Sequence, residues 1–207
     1  LTILAIVVSV IALIVSIRGG GWKRPAAALV IAVATMGTFV ALGGHARQAP
    51  MIHDVATNWA EPMMFSHATM MRRGPGANPV ELHPMVPAEM PMIGGMSVAE
   101  VNRQTCPAAR PVLLKTSAED AYARTRAALV AQGMRIVGED PERGLIEAVA
   151  TSFLYGFKDD LVARVWPEGS GARVDMRSVS RVGISDLGQN CKRIGELAAR
   201  ISGETAP

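Results

Sequence analysis

The chain has 207 residues, enough for one modest soluble domain beside a membrane segment, and 49% of them are hydrophobic. Formal net charge is +3, aromatics make up 4%, and acids are interleaved with the Lys and Arg residues. That pattern argues against a nucleic-acid face, which would cluster its basic residues.

The first 44 residues hold two uncharged apolar runs, Leu1–Ile17 and Pro25–Gly44, joined by Arg18-Gly-Gly-Gly-Trp-Lys-Arg24. A membrane-crossing helix needs about 20 apolar residues. The second run satisfies that, and the first sits at the short limit. A secretory signal peptide would show a single short run with a cleavage site, so 1–44 reads as a transmembrane helical hairpin. Arg18, Lys23 and Arg24 place its turn on the cytoplasmic side, with Trp22 at headgroup level. The remainder is then outside the cytoplasm, and a further helix is expected to precede Leu1, where the chain begins without Met. Small residues at four-residue spacing, Ala28 with Ala32 and Gly37 with Ala41, would let another helix approach closely.

Residues 45–110 read as an extended arm or linker. Prolines fall at 50, 62, 75, 79, 84, 87 and 91, and glycines at 74, 76, 94 and 95. No hydrophobic period persists, apart from a helical turn expected around Pro62–Met71. A long irregular segment is either functional or disordered. Nine of the twelve methionines lie in it, and His53, His67 and His83 as well.

The region 111–207 is periodic. Val112–Lys115 is a strand, and Thr116-x-x-Glu119 is a capping box that opens a helix. Ala118, Ala121, Tyr122, Thr125 and Leu129 share a face of that helix, and Gly133 stops it. Strands follow at Met134–Glu139, Leu145–Ser152, Leu161–Pro167 and Arg173–Ser180. Their turns are Asp140-Pro-Glu-Arg-Gly144, Gly156 with Lys158-Asp-Asp160, and Glu168-Gly-Ser-Gly171. Ser185 or Asp186 caps a last helix ending near Ile201. The fold class is α+β: β-α-β-β-β-β-α, an antiparallel sheet covered on one face by two helices.

Cys106 and Cys191 are the two cysteines. An exported compartment permits a disulfide, which would pin the entry of the domain to its last helix. Two separate buried thiols remain the alternative. Leu187, Cys191, Ile194 and Ala198 fall on one helical face, so Cys191 points inward in either case.

The densest polar stretch is Arg177–Asn190. Alternation puts Arg177, Val179 and Arg181 on one face of a strand end, and Ser178 and Ser180 on the other. Together with Ile52-His-Asp54, Gly144-Leu-Ile-Glu-Ala148, Tyr155-Gly-Phe-Lys-Asp-Asp160 and Arg164-Val165, it resembles the uncharacterised domain-of-unknown-function 1499 family. The resemblance covers Pro50–Asp54 and Pro111–Ile201. It implies a bacterial protein with N-terminal membrane helices and plastid relatives, hence an inner-membrane location with the C-terminal domain in the periplasm. It implies no activity and no cofactor. The long Met- and Pro-rich stretch and the two cysteines depart from the family pattern.

The family-motif polar residues are Asp54, Asp159, Asp160, Arg164, Arg177, Ser180, Arg181, Asp186 and Asn190. Adjacent Asp159 and Asp160 would face opposite sides of a strand, which is poor placement for paired catalytic carboxylates. Ser178, Ser180 and Ser185 have no histidine close in sequence, although a nucleophile needs a base within hydrogen-bond reach. A structural network is the favoured reading: Asp160 paired with Arg164, Arg177 or Arg181, and Asn190 capping a loop. Met63, Met64, Met70 and Met71, with His53 and His67, form a weak copper-ligand candidate, since thioethers select Cu(I). The competing reading is an adaptable packing surface.

The expected function is that of a non-catalytic accessory or structural subunit of a larger membrane complex, a photosynthetic or respiratory assembly being suggested by the plastid relatives. Its partners would be other membrane subunits and the lipid bilayer, with no nucleic acid. The alternatives are a periplasmic small-ligand, lipid or copper-binding module and, further down, a hydrolase.

Overall fold

The computed structural model describes residues 51–153 and 155–203, together with 10, 11, 14, 23, 26, 27 and 29–37. The chain divides into two compact units, Leu1–Ala49 and Pro50–Pro207. In the first, the described residues are helical, and among the described residues no helix is long and apolar enough to cross a membrane. The hairpin expected over 1–44 lies for the most part outside the described residues.

The second unit is α+β. In chain order it runs β1 (Asp54–Ala56), α1 (His67–Arg73), α2 (Val98–Thr105), β2 (Val112–Leu114), α3 (Ala118–Ala131), β3 (Arg135–Asp140), β4 (Leu145–Thr151), β5 (Lys158–Glu168), β6 (Gly171–Ser180) and α4 (Gln189–Ser202). The strands form one antiparallel sheet in the order β1-β6-β5-β4-β3. β2 shares the β6 edge with β1: Leu114 faces Ala172, while Asp54 faces Val179. Between them Thr57 continues the pairing, its hydroxyl accepting from the Met176 amide at 2.8 Å. Asn102 of α2 closes the outer side of β1 by accepting from the Ala56 amide.

Strand alternation separates two faces. Ile146, Ala148, Leu161, Ala163, Val165, Val174 and Met176 point to one side, where they pack with Ala121 and Leu129 of α3 and Ile194, Leu197 and Ile201 of α4. The other side presents Glu147, Asp160, Val162, Arg177 and Val179. Residues 61–81 cover it, and Phe65 and Val80 form a small second core there with Val162 and Val179.

Residues 50–110, expected to be an extended arm, belong to the same unit as the sheet. Ile52, Val86, Val98, Val101 and Cys106 enter the main core. The segment has no period of its own because its buried apolar side chains enter, one at a time, cores built by other elements, while Met71, Leu82, Met85 and Met92 stay exposed. The helical turn expected near Pro62–Met71 is α1, capped by Ser66.

Several boundaries differ from expectation for local reasons. Ser117, not Thr116, caps α3: its hydroxyl accepts from the Asp120 amide at 3.0 Å. Lys158–Asp160 is strand rather than turn, because Ser152 closes a tighter turn by pairing with Phe157 through both main chain and hydroxyl. α4 starts at Gln189, after Gly188 at φ 80°. Leu187 therefore precedes the helix and is exposed rather than on its inner face. Gly144 has φ 65°, and a Cβ there would stand 2.3 Å from the Val165 carbonyl oxygen, so the β3–β4 turn needs glycine at that position.

Cys106 and Cys191, 85 positions apart in sequence, are joined in a disulfide with Cα atoms 5.6 Å apart. It ties the end of α2 to the first turn of α4. In the chain-entropy view, a loop of this size contributes roughly 4 to 5 kcal/mol by restricting the unfolded chain.

Candidate functional site

The polar motif residues divide between the two faces of the sheet. Beneath the arm, the Arg177 guanidinium is fully buried and grips Asp54 with two bonds, Nε to Oδ1 at 3.0 Å and Nη2 to Oδ2 at 2.6 Å. Its remaining donors reach arm carbonyls, Met63 at 2.8 Å and Glu81 at 2.6 Å, and its plane lies 5.1 Å from the Trp59 ring. One sheet residue thus holds the arm at two places separated by seventeen intervening positions.

Asp160, also fully buried, accepts from two guanidinium groups. Arg181 meets it through Nε and Nη2, both at 2.8 Å, and Arg73 of α1 through Nη1 at 2.6 Å. Arg181 also donates to the Arg72 carbonyl, and Arg73 to the Asn78 carbonyl. Burial lowers the Arg73 pKa from its ordinary value, with attraction to Asp160 opposing the shift. The hydrogen bond to Asp160 raises that of Arg181.

Glu147 completes the layer. Its carboxylate accepts from the Ser66 amide and hydroxyl and from the Thr69 hydroxyl, the two hydroxyl contacts at 2.6 Å each. A carboxylate at a helix N-terminus is electrostatically favoured, and here it fixes the start of α1 to the sheet. Gly138 leaves the room: a Cβ there would lie 2.9 Å from Glu147 Oε2.

On the helix face, the Ser178 hydroxyl donates to Asn190 Oδ1 at 2.6 Å. Asn190 Nδ2 donates to the Ser180 hydroxyl at 2.9 Å and to the His53 carbonyl at 3.1 Å. Arg193 joins Asp159 at 2.7 Å and also reaches Asn190. Asp186 accepts from the Gly188 and Asn190 amides at 2.8 and 2.7 Å, capping α4 from two residues before Gly188. Burial raises its carboxyl pKa, and those two amides oppose the shift.

Asp159 and Asp160 therefore do face opposite sides. Asp160 takes Arg181, as expected, and Arg73, but not Arg164 or Arg177. Arg177 is matched to Asp54 instead. Arg164 stacks 3.5 Å from the centre of the Trp166 ring, and its buried Nε has no hydrogen-bond partner among the described residues. It borders an open cleft of about 310 Å³ that is also lined by Met63, Met64 and Leu145. The His53 ring is turned to the Ile184 carbonyl at 3.3 Å, and only its main chain reaches the serine–asparagine cluster. Met63 packs against the second core, while the Met64 sulfur lies 3.7 Å from the Arg177 guanidinium, a poor neighbour for a metal cation. His67, Met70 and Met71 sit on α1.

Sequence reasoning missed Arg73, Glu147 and Arg193. Glu147 had a legible signal, a carboxylate between apolar Ile146 and Ala148 inside a strand. Arg73 and Arg193 had none, because their partners are remote in sequence.

A family model described as protein of unknown function (DUF1499) matches residues 54–201. The chain belongs to this family. The match runs through the arm as well as the sheet, so Asp54, the segment that Arg177 and Asp160 fasten, and α4 are all within it. No curated protein matches the chain.

Proposed function

We propose that the protein is a membrane-anchored accessory or structural subunit of a larger membrane complex, its α+β domain on the periplasmic side of the inner membrane. One observation carries the reading: the family-motif charges work inward. Asp54, Asp160, Arg177 and Arg181 use their hydrogen-bonding capacity on one another and on arm carbonyls. A layer of this kind sets the shape of the arm, and a shaped arm is a docking element. The two uncharged runs in the first 44 residues supply the anchor. The family's plastid relatives make a photosynthetic or respiratory assembly the candidate complex.

Extraction of native membranes in mild detergent, followed by native electrophoresis and identification of co-migrating subunits, tests this. The chain is expected in a high-mass band with constant partners. Recovery only as a free monomer would remove the reading.

A further inference from the structure

The two ends of the sheet differ in chemistry. The pairings Thr151 with Lys158, Asp159 with Ser180 and Asp54 with Val179 bring three segments to one end: the β4–β5 turn, the β6–α4 loop and the entry to β1. The turn exposes Phe153 (99%) and Tyr155 (75%), with Phe157 stacked 5.5 Å from Tyr155. The loop exposes Val182, Ile184 (60%) and Leu187 (57%). Leu187 has φ 55°, a left-handed conformation that branched and bulky residues rarely adopt, and it holds an apolar side chain outward. At the opposite end, the turns are Pro141-Glu-Arg-Gly144 and Glu168-Gly-Ser-Gly171.

Exposed apolar side chains gathered at one end of a domain mark an interaction site. Several main-chain groups at this end are met from within, which suits a low-dielectric environment. Ser152 accepts from the Gly156 and Phe157 amides and donates to the Phe157 carbonyl. Asn78 donates to the Gly183 carbonyl. Residues 152–157 contain no acid. In the loop, Asp186 is folded back onto two amides. Exposed Lys158 flanks the aromatics, suited to a lipid phosphate. The chain also enters the domain here. Only His45–Pro50 separates the uncharged run ending at Gly44 from Met51, a reach of about 20 Å.

We propose that this end is a membrane-contact surface, with the 152–157 turn and the 181–188 loop seated in the interfacial layer of the bilayer. The proposal rests on the anchored reading above. Tyrosine belongs at that depth, where its ring is apolar and its hydroxyl is wet.

The test uses the full chain in nanodiscs of phosphatidylethanolamine and phosphatidylglycerol. Nitroxide labels are placed by Phe153→Cys, Ile184→Cys and, as a control at the far end of the sheet, Leu113→Cys, which is 68% exposed. All three are surface positions, and circular dichroism checks the fold. Labels at 153 and 184 are expected to be severalfold more accessible to oxygen than to a water-soluble relaxant, and the label at 113 the reverse. Water-like behaviour at all three in a disc-bound chain overturns the proposal and leaves the anchored reading intact. A chain that does not enter the discs overturns both. Labels open to water in lipid but shielded in the native complex assign the surface to a protein partner and overturn the bilayer assignment.

Discussion

On β5, successive residues serve two environments. Leu161, Ala163 and Val165 face α3 and α4 in the main core, whereas Asp160 and Val162 face the arm. The helix-covered face is held by close-packed aliphatic contact, which is individually weak, additive and tolerant of exchange. The arm-covered face is held by a few desolvated ion pairs and charge-assisted hydrogen bonds. These do little for stability while intact and cost a great deal when one partner is lost. An amphipathic helix can cover a sheet by burying area. A Pro-rich segment cannot, because it presents no continuous apolar stripe, and its carbonyls need donors. Arg177, Arg181 and Arg73 are those donors.

Paired substitutions break this comparison most sharply. Asp160→Ala leaves the Arg73 and Arg181 guanidinium groups facing each other in a buried site and should cost about 3 to 5 kcal/mol. Leu197→Ala, in the middle of α4, should cost about 3 kcal/mol through lost contact and a cavity. Urea unfolding gives the sizes, and hydrogen exchange gives the distinction. In Asp160→Ala, amides of residues 61–81 should exchange by local opening while those of β5 and β6 stay protected; in Leu197→Ala the loss should be global. Identical exchange patterns in the two variants would mean that the arm is not separately fastened.

The same contrast explains what could be read from the sequence. The helix-covered face was legible because its signal is local: alternation in β4 to β6, and a 3.6-residue period from Ala118 to Leu129, each sit within one element. Turn chemistry at Gly144 and at Glu168–Gly171 set the strand order. The arm-covered face was only half legible. Arg177 and Arg181 stood out at a strand end and Asp160 in the turn before the next strand, but which acid meets which base depends on pairs such as Asp54 with Arg177 and Arg73 with Asp160, far apart in the chain. Adjacent charges of opposite direction, such as Asp159 and Asp160, were resolved by pleat alone. The apolar end of the sheet was invisible beforehand, because Phe153, Ile184 and Leu187 have no common period and are brought to one end only by strand register.

Two helix caps sharpen the comparison at smaller scale. Ser66 and Ser117 are both N-cap residues whose hydroxyls accept from the third helical amide. Ser117 is at the surface, and Ser117→Ala should cost about 1 kcal/mol. Each hydroxyl also donates to a carboxylate, Ser117 to exposed Asp120 and Ser66 to buried Glu147, so only Ser66→Ala takes a charge-assisted bond from a buried acid together with the cap. It should cost about 2 kcal/mol or more. Equal losses for the two variants would show that Glu147 gains nothing from the Ser66 hydroxyl.

The smallest expected effect is the one that varies with pH. Asp175 lies on β6, almost wholly buried, with Oδ2 3.0 Å from Arg173 Nε. Burial raises its carboxyl pKa above the ordinary value, outweighing attraction to Arg173. A carboxyl with a raised folded-state pKa favours the native state in its protonated form. That contribution is fully present below the unfolded-state pKa and is lost as pH rises through the folded value. Asp175→Asn mimics the neutral form at every pH. The variant should therefore match the parent protein near pH 3.5 to 4 and become relatively more stable as pH rises towards 7. Urea midpoints measured for both across that range give the difference curve, in which effects common to the two proteins cancel. A flat curve, or one falling with pH, would place Asp175 among the stabilising clamps of the arm-covered face instead of marking a charge that this face carries at a cost.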